Sequence, residues 1–346
     1  MSRLEALGAR LERPLLVSSP ANQRYLTGFR SSNAALLVEP GGAVTIYTDF
    51  RYVEAARAVE GAVLVEVPRD LFPGIGAALA GREVSFEQAP LTYADWEALS
   101  RAGVDTMPAV GLVEMLRSVK DAGELGAVRA AAALSDDVFA ALAKERFSGR
   151  TERELAWWLE RSFREGGAEG VSFGPLVSAG PNAALPHAGP SDRLIEDGAL
   201  VIVDAGCVVD GYCSDCTRTF FVGNPGDELR NAYALCAQAQ LDGLVAVAAG
   251  VSGRDADAAS RARIEAAGLG SAYGHGLGHG VGLEIHEGPV LRPESTDVLQ
   301  LGNVVTVEPG IYLPGVGGVR IEDLVVVTSD GNEVLTLFTK EPIEVE

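Results

Sequence analysis

Leu200-Val201-Ile202-Val203-Asp204-Ala205-Gly206 reads as an apolar strand that ends on an acid. An unpaired carboxylate on such a strand is costly, so Asp204 needs a reason to be there. Eleven residues on, Tyr212-Cys213-Ser214-Asp215-Cys216-Thr217-Arg218-Thr219 sets a second acid in an apolar context. The pattern returns twice towards the C-terminus. Val304-Val305-Thr306-Val307 runs into Glu308-Pro309-Gly310, and Gly317-Gly318-Val319-Arg320-Ile321 runs into Glu322. Each acid alone could be a strand end or a salt-bridged core group. Together, four desolvated carboxylates require a counter-charge, and two divalent ions would balance them.

The chain has 4 histidines, His187, His275, His279 and His286, and all follow residue 186. Three stand in Gly274-His275-Gly276-Leu277-Gly278-His279-Gly280-Val281-Gly282 and the Glu284, His286, Glu287 stretch after it. This segment is too glycine-rich for a helix, so His275 and His279, although four apart, do not form a helical zinc motif. The glycines let the backbone approach something closely. His187 lies in Pro186-His187-Ala188-Gly189, read as a loop after a strand over 171–178. Oxygen ligands with one imidazole suit Mn²⁺, Co²⁺ or Zn²⁺.

Around these segments the chain reads as two domains, 1–118 and 119–346. The first alternates strands (34–38, 43–47, 62–67, 83–86) with helices (52–59, 92–102), which predicts an α/β domain. The second opens with helices over 121–143 and 151–165, the latter announced by a Thr151/Glu154 capping box. Strands over 199–222, helices over 226–249 and 253–267, and strands to the end follow. Runs of helices and runs of strands predict an α+β domain with a mainly antiparallel sheet.

The 346 residues are 47% hydrophobic and 22% charged, a folded globular profile. The formal charge of −20 excludes general nucleic-acid binding and an anionic membrane surface as partners. No apolar leader segment and no run long enough to span a bilayer is visible, so a cytoplasmic location is expected. Cys207, Cys213, Cys216 and Cys236 could be a zinc site, a redox pair or packing residues. Residues three apart on a strand point to opposite faces, so Cys213 and Cys216 would not share an ion, and packing is the reading adopted.

The segments VDAG, SDCTRT, GHGVGLEIHEGP, VEPGIY and GGVRIED, in that order, resemble the pita-bread-fold metallopeptidases, which include prolidases, Xaa-Pro aminopeptidases, methionine aminopeptidases and metal-free creatinases. Asn22-Gln23-Arg24-Tyr25-Leu26-Thr27-Gly28-Phe29 and Thr48-Asp49-Phe50-Arg51-Tyr52 extend the resemblance to the N-terminal domain of the prolyl-specific branch. The resemblance implies a pita-bread C-terminal domain and two divalent metal ions, Mn²⁺ first among the candidates. Asp204 would chelate one ion, Asp215 and Glu322 would bridge both, and His279 and Glu308 would complete the second. It implies that Glu308 carries protons during attack by a metal-bridged hydroxide, with His187 and His286 at the substrate. It implies substrates that are proline-containing di- or oligopeptides, and a homodimer. Arg320, Arg51 and Arg30 are the candidates to hold a proline carboxylate; Arg51 and the short first domain favour a prolidase over an Xaa-Pro aminopeptidase. A binding scaffold of the same fold is the non-enzyme alternative. His275 is read either as a residue that supports the ligands from behind or as part of the local structure.

Overall fold

The structure, a computed structural model, describes residues 1–186 and 188–346. The chain divides into two compact units, Met1–Arg117 and Ser118–Glu346.

The first unit contains α1 (Arg3–Gly8), β1 (Leu15–Val17), α2 (Pro20–Thr27), β2 (Ala34–Val38), β3 (Val44–Thr48), α3 (Val53–Ala56), β4 (Val63–Glu66), α4 (Leu71–Leu79), β5 (Glu83–Glu87), α5 (Tyr93–Arg101), β6 (Asp105–Ala109) and α6 (Glu114–Ser118). Its strands form one sheet in the order β4-β3-β2-β1-β5-β6. The β2–β3 hairpin is antiparallel, and β3–β4, β1–β5 and β5–β6 are parallel, so the unit is α/β as expected. Leu16, Ala35, Leu37 and Tyr47 meet Ile75, Leu79 and Leu99 of the helices in its core. The helix expected over 52–59 is one turn only. Beyond Ala56 the amides of Ala58 and Val59 bond three residues back, and Gly61, at φ 74°, turns the chain into β4.

The second unit opens with α7 (Ala122–Leu142) and α8 (Glu152–Glu165). The Thr151 amide donates to Glu154 Oε2 at 2.7 Å and the Glu154 amide to Thr151 Oγ1 at 3.2 Å, the reciprocal cap read from the sequence. The strand expected over 171–178 is two strands, β7 (Gly170–Val171) and β8 (Leu176–Ala179). Pro175 has no amide hydrogen for a ladder, and Ser172 turns its hydroxyl to the carbonyls of Cys207 and Ser214 instead. Next come β9 (Leu200–Ala205), β10 (Cys207–Val209), β11 (Tyr212–Cys213), β12 (Cys216–Val222), α9 (Asp227–Ala246) and α10 (Gly253–Ala266). The chain closes with β13 (Gly278–Gly280), β14 (Glu287–Leu291), β15 (Val304–Val307), β16 (Gly310–Leu313), β17 (Gly317–Arg320), β18 (Asp323–Thr328), β19 (Gly331–Val334) and β20 (Ile343–Val345). The sheets are β11-β10-β7, β20-β12-β9-β8, β14-β13-β15-β18-β19 and β16-β17. Every pairing among them is antiparallel except β12–β20, so the unit is α+β and mainly antiparallel.

Strand alternation in β9 aims the acid. Val201, Val203 and Ala205 face a core with Phe139, Phe147, Leu159 and Phe163 of the α7–α8 layer. Residues 200, 202 and 204 therefore point to the other face, where Leu200 meets α9, Ile311 and Val319. Thr217 is the register partner of Asp204 and shares that face.

The four cysteines are free and buried. Cys213 ends β11 and Cys216 begins β12, in different sheets and different core clusters.

Candidate metal centre

Asp204 lies on β9, whereas Asp215, Glu308 and Glu322 each occupy a break between consecutive strands: β11/β12, β15/β16 and β17/β18. At a break the backbone leaves the ladder and the side chain can aim at a point that regular pleating would not reach. Carboxylate oxygens of Asp204, Asp215 and Glu322 all lie within 4.8 Å of one another, and all three residues are buried. His279 Nε2 stands 3.6 Å from Asp215 Oδ2 and 3.4 Å from Glu308 Oε1. Five residues spread over 119 positions thus line one cavity of about 330 Å³. His275, His286, Arg292 and Arg320 also line it.

The glycines of the 274–282 segment have the expected use. A Cβ on Gly276 would stand 2.7 Å from the Leu291 carbonyl oxygen and 2.8 Å from Arg292 Cβ, and one on Gly278 would overlap the Thr306 carbonyl. The segment can press against β14 and β15 only without side chains there. The Asp257–Arg261 pair on α10 holds it from behind. Arg261 donates to the carbonyls of Tyr273 (3.0 Å) and His275 (2.6 Å), and Asp257 accepts from the Leu277 amide at 3.0 Å.

Electrostatics make the centre expensive as bare protein. Burial, and then the neighbouring carboxylates of Glu322, Asp204 and Glu308, push the Asp215 carboxyl well above the usual range. Burial raises Glu322 in the same way, reinforced by Glu308 and Asp204. Burial raises Glu308 too, although the Arg320 charge opposes it. His279 is depressed by burial and stays neutral. Its Nδ1 lies 3.0 Å from the Gly280 carbonyl, which can only accept, so Nδ1 carries the hydrogen. The Nε2 lone pair then faces two carboxylates, an arrangement of acceptors against acceptors. Asp204 Oδ1 and Glu322 Oε1 are buried without a hydrogen-bond donor among the described residues. Oxygen and imidazole acceptors that converge with no donor between them are the environment a divalent cation requires.

The supporting residues are ones that sequence reading missed or misassigned. Thr217 Oγ1 donates to Glu322 Oε2 at 2.7 Å, and Thr306 Oγ1 to Glu308 Oε1 at 3.1 Å. A partial signal existed: Thr217 and Thr306 are polar residues in apolar stretches, each two positions from a site acid. Arg320 does not stand open to a ligand. Its Nε donates to Thr217 Oγ1 (3.2 Å), NH1 to the Pro186 carbonyl (3.3 Å) and the Tyr312 oxygen (2.9 Å), and NH2 to Asp204 Oδ2 (2.6 Å). Tyr312 OH also lies 2.9 Å from His275 Nε2, while His275 Nδ1 lies 2.8 Å from the Gly276 carbonyl. The carbonyl fixes the hydrogen on Nδ1, so Tyr312 donates to Nε2. His275, which the sequence left as either a supporting residue or local structure, therefore ends a chain of hydrogen bonds running through Tyr312 and Arg320 to Asp204. His286 sits edge-on to His279, with ring centroids 4.3 Å apart. His187 lies outside the described residues. Arg51, in the first unit, gives its Nε and NH2 to Asp49 at 2.8 and 2.7 Å; Arg30 of the same unit is exposed.

A chain whose mainly antiparallel second unit gathers buried acids and a neutral imidazole is built as a metallohydrolase. Comparison with known proteins gives the family. The profile of the metallopeptidase family M24 matches residues 126–329, and that of the creatinase/prolidase N-terminal domain matches residues 4–119. The chain belongs to metallopeptidase family M24. An uncharacterized peptidase of Bacillus subtilis is 39% identical over 339 residues, 95% of each chain. The structure of an Xaa-Pro dipeptidase from Bacillus anthracis superposes with a TM-score of 0.95 at 38% identity, over 99% of each chain. That of an X-Pro aminopeptidase from Thermotoga maritima does so with a TM-score of 0.87 at 32% identity, over 96% of this chain and 97% of its own. The fold is that of a creatinase-type N-terminal domain followed by a pita-bread domain, and the enzyme class is metallopeptidase. No helix of the described residues is long and apolar enough to cross a membrane.

Proposed function

We propose that the protein is a prolidase, hydrolysing the bond between an N-terminal residue and proline in dipeptides, with two divalent ions held by Asp204, Asp215, His279, Glu308 and Glu322. The observation that carries this reading is the His279 Nε2 lone pair aimed at the Asp215 and Glu308 carboxylates, in a cavity beside the Asp204–Asp215–Glu322 cluster. The likeness to the Bacillus anthracis dipeptidase supports the substrate class. Mn²⁺ is the ion we favour over Co²⁺ or Zn²⁺, since four of the five ligands are hard carboxylates.

When bound, the metal pair supplies Lewis acidity and lowers the pKa of water towards neutrality. The chain's own groups do the rest. Glu308, whose carboxyl is raised by burial, takes a proton from the attacking water and returns it to the departing proline nitrogen. His286, beside His279 on the cavity wall, donates to the oxyanion that develops on the scissile carbonyl, as does His187. Arg320 holds Asp204 in place: burial opposes its charge, but Tyr312, Asp204 and Glu308 outweigh that and keep it well above its ordinary range, permanently cationic. It is a positioning residue in this scheme.

The test is to strip the protein with chelator, restore Mn²⁺, and compare alanine release from Ala-Pro and Ala-Pro-Ala. Cleavage of Ala-Pro alone is expected. Preference for Ala-Pro-Ala would make the protein an Xaa-Pro aminopeptidase, and metal-independent silence on both would refute the peptidase scheme.

A further inference from the structure

His286 is the last residue of an excursion, 281–286, between β13 and β14. It is exposed and lines the cavity, so the backbone that carries it decides where its imidazole stands. The outward limb of the excursion is bonded to its neighbours. The Val281 amide donates to the Val304 carbonyl at 3.0 Å, and the Gly282 carbonyl accepts from the Cys213 amide at 2.8 Å. The return limb joins an irregular ladder. Gly280 pairs with Glu287 but His279 pairs with Val290, so residues 288 and 289 are inserted between neighbouring rungs, immediately after Glu287.

A side-chain pair fixes the chain at this point. Lys120 Nζ donates to Glu287 Oε1 at 2.6 Å; the lysine side chain is fully buried and that of the glutamate is 5% exposed. Gly282 makes room for the carboxylate, since a Cβ there would stand 2.3 Å from Glu287 Oε1. Lys120 is itself held on both sides. Its amide donates to the Gly302 carbonyl at 3.0 Å, and Asn303 Nδ2 donates to the Ser118 carbonyl at 2.9 Å. The next residue, Asp121, caps α7 by accepting from the Glu124 amide at 2.9 Å. The pair therefore ties the residue after His286 to the start of α7 and to the turn that opens β15, the strand leading to Glu308.

Stability alone does not account for such a pair. Taking two ions out of water costs about what their attraction returns, and apolar residues of similar volume often do as well or better. A charge-assisted hydrogen bond supplies what an apolar contact lacks, a defined distance and direction. A donor to a developing oxyanion needs that definition, because a displacement of about 1 Å can cost about 100-fold in rate.

We propose that Lys120 and Glu287 are positioning residues that hold the His286 imidazole at the scissile carbonyl, an inference that rests on the role given to His286 in the scheme above. The experiment uses the full-length, Mn²⁺-loaded protein as wild type, Lys120→Met/Glu287→Leu, His286→Ala and the triple variant. The paired replacement leaves neither charge buried alone and touches none of the five metal ligands; urea unfolding and Mn²⁺ titration check that fold and metal binding are kept. In the wild-type background it is expected to lower kcat for Ala-Pro roughly 10- to 100-fold. KM changes little, since the oxyanion contact forms only in the transition state. In the His286→Ala background the same replacement is expected to change kcat by less than about twofold, the sign that both act through one contact. A merely structural role lowers kcat by the same factor in both backgrounds, and that result overturns the assignment. So does an unchanged kcat in the paired variant or in His286→Ala. Glu287→Gln, which keeps an acceptor for Lys120, goes through the same cycle, with the same reading, should the paired variant unfold. Wild-type cleavage of Ala-Pro-Ala in place of Ala-Pro removes the dipeptidase reading alone, and the cycle is then read on the tripeptide. Silence on both substrates removes the hydrolytic scheme and the assignment together.

Discussion

Replacing Asp215 by Asn separates a metal site from a merely structural cluster. Asp215, Asp204 and Glu322 bring carboxylate oxygens within 4.8 Å of one another. Two unit charges at that distance repel by about 3.5 kcal/mol at an effective dielectric of about 20. Part of this is relieved by proton uptake, which is why the Asp215 carboxyl is raised by burial and by its neighbours. An acid whose folded pKa lies above its unfolded value of about 4 costs stability above that pH, and stops doing so as pH falls back towards it. Metal-free Asp215→Asn is therefore expected to be more stable than metal-free wild type at pH 8, by about 1–3 kcal/mol. That gap closes as pH approaches about 4. Metal acts in the opposite direction. Free Mn²⁺ at about 100 times its dissociation constant stabilises wild type by about 2.7 kcal/mol. For a unit of this size that is a rise in Tm of roughly 5–11 °C, and most of it disappears in Asp215→Asn. Scanning calorimetry with chelator and with Mn²⁺, at several pH values, reads all of these. An apo variant less stable than apo wild type, with an undiminished Mn²⁺ shift, would refute the reasoning.

Further perturbations follow from the same structure. Arg218 and Asp323 are both fully buried and paired at 2.9 Å, and Lys340 also pairs with Asp323, so Arg218→Met leaves that carboxylate with one cation fewer and takes a donor from the Phe338 and Glu322 carbonyls; it should cost about 3 kcal/mol in urea unfolding. Glu152, also fully buried, accepts from the amides of Ala179 (2.7 Å) and Ser191 (2.9 Å) and from the side chains of Asn182 (3.0 Å) and Ser191 (2.6 Å), which ties both ends of the 179–191 segment to α8. Glu152→Ala should lower kcat for Ala-Pro by about tenfold or more, because misplacing that segment by about 1 Å is enough; Mn²⁺ binding, measured by calorimetry, should be retained. Tyr312→Phe removes the hydroxyl between Arg320 and His275, and steady-state kinetics should show a fall in kcat/KM of roughly three- to tenfold, the worth of one hydrogen bond in each direction.

Legibility in the sequence followed the range of the interactions. The Thr151/Glu154 cap and the β2–β3 hairpin involve residues a few positions apart, and their patterns are local. The three-residue strand β1 escaped reading: it is held in the middle of its sheet by β2 and β5, and three residues are too few to display a period. The break of the 171–178 strand carried a sign, Pro175, but the use Ser172 makes of the break depends on β10 and the residue after β11, some 35 and 42 positions away.

The site divides in the same way. Sequence alone determined which residues are chemically strange: acids embedded in apolar strand segments, and histidines confined to glycine-punctuated stretches. Solvation physics makes such residues conspicuous wherever they finally lie. Tertiary structure decided what each one faces. Asp204 and Arg320 are 116 positions apart and 2.6 Å from each other in space, so an arginine that reads as an open clamp is a closed one. His275 gained partners through Tyr312, 37 positions on. Arg292 carries no motif and stands out only because the fold places it on the cavity wall. Composition and periodicity record a residue's cost of burial; the partners that offset that cost come from distant segments, and only the folded chain brings them within reach.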